Sequence, residues 1–329
     1  MRYEVPPEAG GLTLGKFLFD RLRLSRNLVR KAKNSEGLLV DGRPVRTSHV
    51  LAVGQVVELQ VEAHGRVEPE PMALAIVYED AQVLVVDKPA GIVVHPVRDY
   101  QHGTLAQGVA YHLQQRGEQP VARPVQRIDR ETSGLVLFAK NPAVAGQLAA
   151  ELEKHKLERR YMALVRGRVE GEQGMVRVPI RRVWGHPVAR EAAVGPRTPE
   201  QEALLAAAEA GGQVLRDEWK AAGQPAVTHW QIVRRWPEAT MLALQLETGR
   251  THQIRVHMAH VGHPLLGDSL YGQAGPPGRQ ALHAATLAFT HPVTGVAVRL
   301  ESPLPADLVA FAAELDAAAG RNPHHPESP

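Results

Sequence analysis

A densely charged segment followed at once by an apolar run is the feature that most constrains this chain. Residues 126–134 read Gln-Arg-Ile-Asp-Arg-Glu-Thr-Ser-Gly, and residues 135–138 read Leu-Val-Leu-Phe. A short uninterrupted apolar run is typical of a buried β-strand. The sequence therefore predicts a polar loop, held at the start of a buried strand, in which Asp129 lies between Arg127 and Arg130.

Two interpretations of this loop are open from its residues alone. Neighbouring cations favour the ionised form of a carboxyl group, and an ionised, positioned aspartate can act as a nucleophile or a base. The alternative is a surface ion-pair cluster, which is common and stabilises little.

The loop also resembles a known motif. Residues 127–135 are similar to the signature loop of the RNA pseudouridine synthases of the ribosomal large-subunit type. In that family the aspartate between the arginines is the essential catalytic residue, so the resemblance implies this role for Asp129. The family usually has His where this chain has Gln126.

Composition excludes several classes of protein. The chain has 329 residues, no cysteine, 44% hydrophobic residues and a formal net charge of +3. It therefore has no disulfide framework and no zinc–thiolate site, and no apolar run approaches the roughly 20 residues that span a bilayer. The N-terminal residues lack the apolar core of a secretory signal. We expect a cytoplasmic protein that does not bind membranes.

The most basic window lies between residues 12 and 46. Its pattern predicts two short helices, strands at 38–40 and 55–59, and a turn at Asp41-Gly42. A cationic face of this kind attracts nucleic-acid phosphates, although it also fits an ordinary solvated surface. The cations that we expect to contact RNA are Lys16, Arg21, Arg26, Arg30, Lys33 and Arg43.

Residues 14–18 and 37–43 resemble the S4 RNA-binding domain, which often precedes the catalytic domain in this family. With a Gly/Pro/charged stretch after it, the chain divides into four parts. We predict an S4-like domain at 1–66, a linker at 67–73, a catalytic domain at 74–318 with an insertion at 185–224, and a disordered tail at 319–329.

Two further motifs follow in the order of the family. Residues 87–91, Asp-Lys-Pro-Ala-Gly, resemble its first motif, in which Lys88 is a candidate phosphate contact. Tyr161 matches a tyrosine that lines the family's active site, with Arg159 where a Lys is frequent. On pattern alone, a tyrosine in an apolar strand equally fits a place in the core.

The longest match covers residues 247–268, where Thr251 is predicted to cap a short helix. In the family, the arginine at the position of Arg255 pairs with the catalytic carboxylate. Several histidines here also permit a metal site, but no glutamate lies between them as in a metalloprotease helix.

These observations predict an α+β pseudouridine synthase fold with a mixed, largely antiparallel sheet. The resemblance implies an isomerase that converts uridines of large-subunit ribosomal RNA, or of tRNA, without a cofactor and by flipping the base. Catalysis would fall to Asp129, Tyr161 and Arg255, and RNA contacts to Arg127 and Arg130. We expect a monomer. The rival hypotheses are a non-catalytic RNA-binding protein and a metal-dependent hydrolase of nucleic acid.

Overall fold

The computed structural model describes residues 2–22, 24, 29–30, 32–33, 37–59, 67–97, 99–211 and 221–320, apart from the side chain of residue 209. Within these ranges, no helix is both long and apolar enough to cross a membrane. The strands and helices form a small N-terminal unit and a larger catalytic unit.

The N-terminal unit, residues 2–59, contains a four-stranded antiparallel sheet in the order β1-β4-β2-β3. A short helix, α1 (Leu14–Lys16), continues into a π-helical turn at Phe17–Arg21. The predicted strands and the turn at Asp41-Gly42, where both φ angles are positive, are confirmed. The sequence also makes Ser25 a candidate N-cap of the second predicted helix, and this residue lies outside the described ranges. The strands are β1 (Arg2–Glu4), β2 (Leu38–Val40), β3 (Arg43–Pro44) and β4 (Val56–Leu59).

The catalytic unit is built on one twisted sheet, in the order β10-β13-β14-β9-β15-β8-β6-β5, with β16 beside β15 and β7 beside β8. Every described pairing is antiparallel except that of β8 with β15, which confirms the predicted α+β class. The strands are β5 (Ala75–Glu79), β6 (Val83–Lys88), β7 (Arg123–Pro124), β8 (Ser133–Ala139), β9 (Glu158–Arg166), β10 (Gln173–Arg177), β11 (Ile180–Arg182), β12 (Arg190–Ala192), β13 (Val227–Arg235), β14 (Ala239–Leu246), β15 (Leu282–Thr290) and β16 (Ala297–Glu301).

Helices cover the faces and ends of this sheet. Thr104 and Gln107 form a capping box at the start of α2, and the Asn141 side chain caps α3. The helices are α2 (Leu105–Gln115), α3 (Pro142–Glu153), α4 (Pro199–Ala210), α5 (Gln253–His260) and α6 (Ala306–Gly320). The last of them extends two residues into the predicted tail, and residues 321–329 lie outside the described ranges.

The apolar run after the charged loop is the buried strand β8, in which all seven residues are buried. Its parallel pairing with β15 depends on Gly134, which has a φ of +109°. A Cβ there would lie 2.3 Å from the carbonyl oxygen of Ala284, closer than any side chain allows. The loop of Asp129 is therefore set directly against the start of β15.

The predicted insertion contributes β12 and α4, and the Ala/Glu/Leu-rich composition of residues 200–209 favours the helix. Strand β12 pairs with β11 as a hairpin, and residues of both strands pack with Val256 of α5 and with Tyr271. The predicted cap of α5 was wrong. Its N-cap is His252 in the left-handed region, φ 59°, without a side-chain cap hydrogen bond.

Candidate active site

Asp129 lies in the loop that precedes β8 and contacts Arg255 of α5, with 24% of its side chain exposed. Its Oδ2 accepts a hydrogen bond from Nη1 of Arg255 at 3.2 Å and a longer one from Nε2 of Gln280 at 3.4 Å. The predicted pairing of Asp129 with Arg255 is therefore present, across 126 positions of sequence.

Arg255 is itself held by a second carboxylate, Asp268. Its Nε and Nη2 donate to the two oxygens of Asp268 at 2.7 and 2.8 Å, and the Asp268 side chain is fully buried. Burial alone would raise the pKa of Asp268, but the hydrogen bonds and charge of Arg255 hold it below its usual value. The two-pronged contact leaves Nη1 as the nitrogen that reaches Asp129.

The aromatic ring of Tyr271 lies against this arginine, 4.9 Å from the guanidinium carbon to the ring centroid. Burial raises the pKa of Tyr271 to about 12, so its hydroxyl is protonated at neutral pH. The hydroxyl accepts the backbone N–H of Arg190, 2.8 Å away. The β11–β12 hairpin therefore contacts Tyr271, the residue that packs against Arg255.

Tyr161 begins the apolar part of β9 and is buried in the same hydrophobic cluster as Ile128, Ile254 and Leu282. Burial raises the pKa of Tyr161, with the charge of Asp129 acting in the same direction and that of Arg159 against it. Within the described ranges its hydroxyl makes no hydrogen bond. A neutral aromatic face with an unoccupied hydroxyl suits contact with a planar ligand.

A second arginine, Arg279, donates hydrogen bonds to the loop that carries Asp129. Its Nη1 donates to the carbonyl oxygen of Glu131 at 2.9 Å and its Nη2 to the hydroxyl of Ser133 at 3.2 Å. Asp307 accepts from Nε and Nη2 of the same side chain at 2.6 and 3.2 Å. Gln280 links the loop further, because Nε2 also donates to the Thr132 hydroxyl at 2.9 Å.

Lys88 does not contact solvent, which favours a structural role over the phosphate contact that the sequence left open. It is fully buried, and its Nζ donates to the carbonyl oxygens of Pro89 and Arg130, each at 2.8 Å. Burial lowers the pKa of Lys88 to about 7, although Glu131 and Asp129 act in the opposite direction. Lys88, the last residue of β6, therefore holds the backbone of the loop that carries Asp129.

The two arginines that flank Asp129 in sequence do not pair with it, which corrects the expectation of a carboxylate bracketed by its neighbours. Arg130 forms an ion pair with Glu131 at 2.7 Å and lies over the ring of Tyr100, 5.3 Å from its centroid. Arg127 is exposed. Successive side chains in an extended loop point to different sides, so adjacency did not place either guanidinium on the carboxylate.

The structure leaves the predicted RNA-contacting cations of the N-terminal unit on the surface. Lys16, Arg21, Arg30, Lys33 and Arg43 are all exposed, and Arg21 lines a cleft against the catalytic unit together with Gln82 and Asn141. The sixth, Arg26, lies outside the described residues. The insertion offers further candidates for RNA contact, of which Arg216, Trp219 and Lys220 also lie outside the described residues. Trp184 and Arg190 are half-buried.

His257 of α5 has hydrogen-bonding partners at both of its ring nitrogens. Nδ1 of His257 lies 2.9 Å from the Thr228 hydroxyl, and its Nε2 lies 2.9 Å from the carbonyl oxygen of Val178. In the part of the chain that the structure describes, no three His, Asp or Glu side chains are arranged to hold a metal ion.

Sequence reasoning missed the residues that hold Asp129 and Arg255 in place. Asp268 and Tyr271 belong to the segment Gly-Asp-Ser-Leu-Tyr-Gly at 267–272, which continues the family pattern but was assigned to the scaffold. Arg279 and Gln280 carried no recognisable signal. Only the fold shows that they face the loop.

Comparison with known proteins identifies the family. The sequence profile described as RNA pseudouridylate synthase matches residues 82–260. An uncharacterised RNA pseudouridine synthase of Bacillus subtilis is 36% identical over 303 residues, covering 89% of this chain and 91% of the relative. The ribosomal large subunit pseudouridine synthase D of Pseudomonas aeruginosa is 37% identical over 326 residues, covering 93% of this chain and 92% of the relative.

Solved structures agree in fold. Human RNA pseudouridylate synthase domain containing 4 superposes with a TM-score of 0.58 at 22% identity, covering 74% of this chain and 93% of that chain. Human RNA pseudouridylate synthase domain containing 1 superposes with a TM-score of 0.52 at 25% identity, covering 75% of this chain and 98% of that chain.

The chain belongs to the RNA pseudouridylate synthase family. It is an RNA pseudouridine synthase, which confirms the resemblance found in its motifs and sets aside the non-catalytic and metal-dependent alternatives.

Proposed function

We propose that this enzyme converts uridine to pseudouridine in large-subunit ribosomal RNA, with Asp129 as the reacting carboxylate and without a cofactor. The observation that carries the proposal is the chain Asp268–Arg255–Asp129, in which a buried, doubly held guanidinium presents one nitrogen to the carboxylate. A preorganised cation of this kind stabilises negative charge without rearranging during the reaction.

The net reaction breaks the bond between N1 of the base and C1′ of the ribose and forms a bond from C5 to C1′. The hydrogen on C5 leaves as a proton and N1 gains a proton, so no electrons enter or leave. The requirements are a positioned carboxylate and a route for one proton. Asp129 serves as nucleophile or base, and Arg255 fixes its orientation.

A uridine inside folded RNA must leave its stack before its base can reach Asp129. Tyr161 offers a buried aromatic face on which the extracted base can stack. Arg127, exposed two positions before Asp129, is placed to fill the gap that the base leaves. The exposed cations of the N-terminal unit add sequence-blind attraction to phosphates.

The ribosomal substrate is inferred from the relatives named for the large ribosomal subunit, of which one covers 93% of this chain. Pseudouridines should be mapped in ribosomal RNA and tRNA from cells with and without this gene. We expect one or a few positions to disappear from large-subunit ribosomal RNA. Loss from tRNA alone would contradict the assignment of substrate and leave the chemistry intact.

The role of Asp129 is tested by Asp129→Asn, which keeps the size of the side chain and removes its charge. Pseudouridine formation on in vitro transcribed large-subunit ribosomal RNA should be abolished while RNA binding survives. Asp316→Asn is the matched control, because Asp316 also pairs with an arginine, Arg234, but lies on α6. A rate for Asp129→Asn within about tenfold of wild type would contradict the proposal.

A further inference from the structure

The two oxygens of Asp129 have different surroundings. Oδ2 accepts from both Arg255 and Gln280. Oδ1 makes no hydrogen bond with any part of the chain that the structure describes. The polar atom that faces it is Nε2 of His252, 3.9 Å away, too far for a direct hydrogen bond.

The hydrogen bonds around His252 determine which ring nitrogen carries the hydrogen. Its Nδ1 lies 2.8 Å from the Tyr271 hydroxyl, whose oxygen already accepts the N–H of Arg190. If Nδ1 carried the hydrogen, the phenol hydrogen would have no acceptor among the described residues. The arrangement that satisfies both groups has Tyr271 donating to Nδ1, which leaves the hydrogen on Nε2.

The charged groups that act on the imidazole agree with a neutral ring. Asp129 and Asp268 favour its protonated form, while Arg255 and Arg190 oppose it. Burial is the largest effect, and the pKa of His252 falls below its usual value. The ring therefore carries one hydrogen, on Nε2, and this hydrogen points toward Oδ1.

The backbone of His252 indicates that its position is imposed. It adopts a left-handed conformation, φ 59°, at the first turn of α5, and only 12% of its side chain is exposed. Residues held in such conformations cost free energy and cluster at functional sites.

We propose that Nε2–H of His252 and Oδ1 of Asp129 together bind one hydroxyl group of the target nucleoside, the ribose 2′-hydroxyl. One oxygen atom fits about 2.8 Å from each of two atoms that are 3.9 Å apart. It would accept from Nε2 and donate to Oδ1, a pair of roles that a hydroxyl fills and a carbonyl does not. The 2′-hydroxyl is the group that distinguishes RNA from DNA. This inference rests on the proposed function.

The first test compares His252→Gln with His252→Asn on in vitro transcribed large-subunit ribosomal RNA. The Gln amide nitrogen reaches the position of Nε2, whereas the shorter Asn reaches only that of Nδ1. We expect Gln to keep the rate within about fivefold of wild type and Asn to lose roughly 10- to 100-fold.

A structural role would give the opposite order, because Asn tolerates the left-handed backbone better than Gln does. An Asn variant as active as the Gln variant, or more active, overturns the proposal. Urea unfolding of both variants separates loss of rate from loss of folded enzyme.

The second test uses an RNA that carries a single 2′-deoxyuridine at a position where the wild-type enzyme forms pseudouridine, under single-turnover conditions. If His252 acts through the hydroxyl, the deoxy substitution slows the wild type, and His252→Asn causes no further loss on the deoxy RNA. Independent, multiplying losses overturn the proposal. If the wild type forms no pseudouridine in any transcript, the proposed function itself fails.

Discussion

Two buried arginines serve the same loop in different ways. Arg255 and Arg279 each donate two hydrogen bonds to one carboxylate, Asp268 and Asp307 respectively. The remaining nitrogen of Arg255 points to a charged side chain, Asp129. The corresponding nitrogen of Arg279 points to the backbone carbonyl of Glu131. One arginine contacts the side chain of Asp129, the proposed reacting group, and the other contacts the backbone of the loop that carries it.

The surroundings of the two carboxylates also differ. The side chain of Asp268 is fully buried, whereas 43% of that of Asp307 is exposed. A buried ion pair is costly to break because the remaining charge cannot be hydrated. Breaking an exposed ion pair costs little free energy, because water hydrates the charge that remains. The Arg255 pair should therefore be the more sensitive of the two in both stability and rate.

Arg255→Met should have the largest effect, since it strands Asp268 in the interior and removes the donor to Asp129. We expect a loss of about 3–5 kcal/mol in the free energy of unfolding and a fall of more than about a hundredfold in the rate of pseudouridine formation. Urea unfolding and single-turnover rates measure these two quantities. Arg279→Met is the matched variant, with a smaller loss of stability. Equal losses of stability and rate in Arg255→Met and Arg279→Met would contradict the proposed difference between the two arginines.

Substitutions of the carboxylates that pair with these arginines, Asp268 and Asp307, test the same comparison. Asp268→Asn should destabilise the fold by about 3 kcal/mol, because it leaves the buried charge of Arg255 partly uncompensated. Asp307→Asn should cost less, because Arg279, although equally buried, keeps its hydrogen bonds to the backbone carbonyl oxygens of Glu131, Gln280 and Leu282. Thermal or urea unfolding of the two variants, measured side by side, gives the difference. A larger loss for Asp307→Asn would contradict the assigned roles.

Lys88 gives a prediction about pH. Its pKa is about 7 in the folded protein because of burial, and 10.5 is its ordinary value. Between pH 7 and 10.5 the unfolded chain therefore binds the additional proton, so this group makes stability rise with pH, by up to about 1.4 kcal/mol per pH unit. Below pH 7 both states hold the proton and the dependence disappears.

Lys88→Met removes this titration. The stability of the wild type relative to the variant should increase from pH 7 toward pH 10, and stay constant from pH 5.5 to pH 6.5. Urea unfolding across this range is the measurement. A pH-independent difference would show that folding does not lower the pKa of Lys88.

Arg130→Gln should have the smallest effect of these substitutions. Arg130 is paired with Glu131 at a half-exposed site, so Arg130→Gln should change the free energy of unfolding by about 0.5 kcal/mol or less. Any effect on activity should arise from weaker RNA binding, seen as a higher KM and a shallower dependence on salt, because one fewer cation neutralises a phosphate. A loss of kcat as large as that of Arg255→Met would show that Arg130 acts on the reacting group.

Much of the fold was predictable because local patterns specify local structure. The apolar run at 135–138 became the buried strand β8, and the Ala-rich segment after it became α3. The left-handed start of α5 was not predictable, since His252 replaced the expected cap at Thr251 through contacts with Tyr271 and Asp129.

By itself, the sequence determined the strands, the loop that carries Asp129 and, through its motifs, the class of reaction. Only the tertiary structure decided which cation meets the carboxylate. The guanidinium groups of Arg127 and Arg130, which flank Asp129 in sequence, do not pair with it. Arg255, 126 positions away along the chain, does. The physical reason is that an ion pair depends on the direction and burial of side chains, which are set by packing across the sheet rather than by distance along the chain.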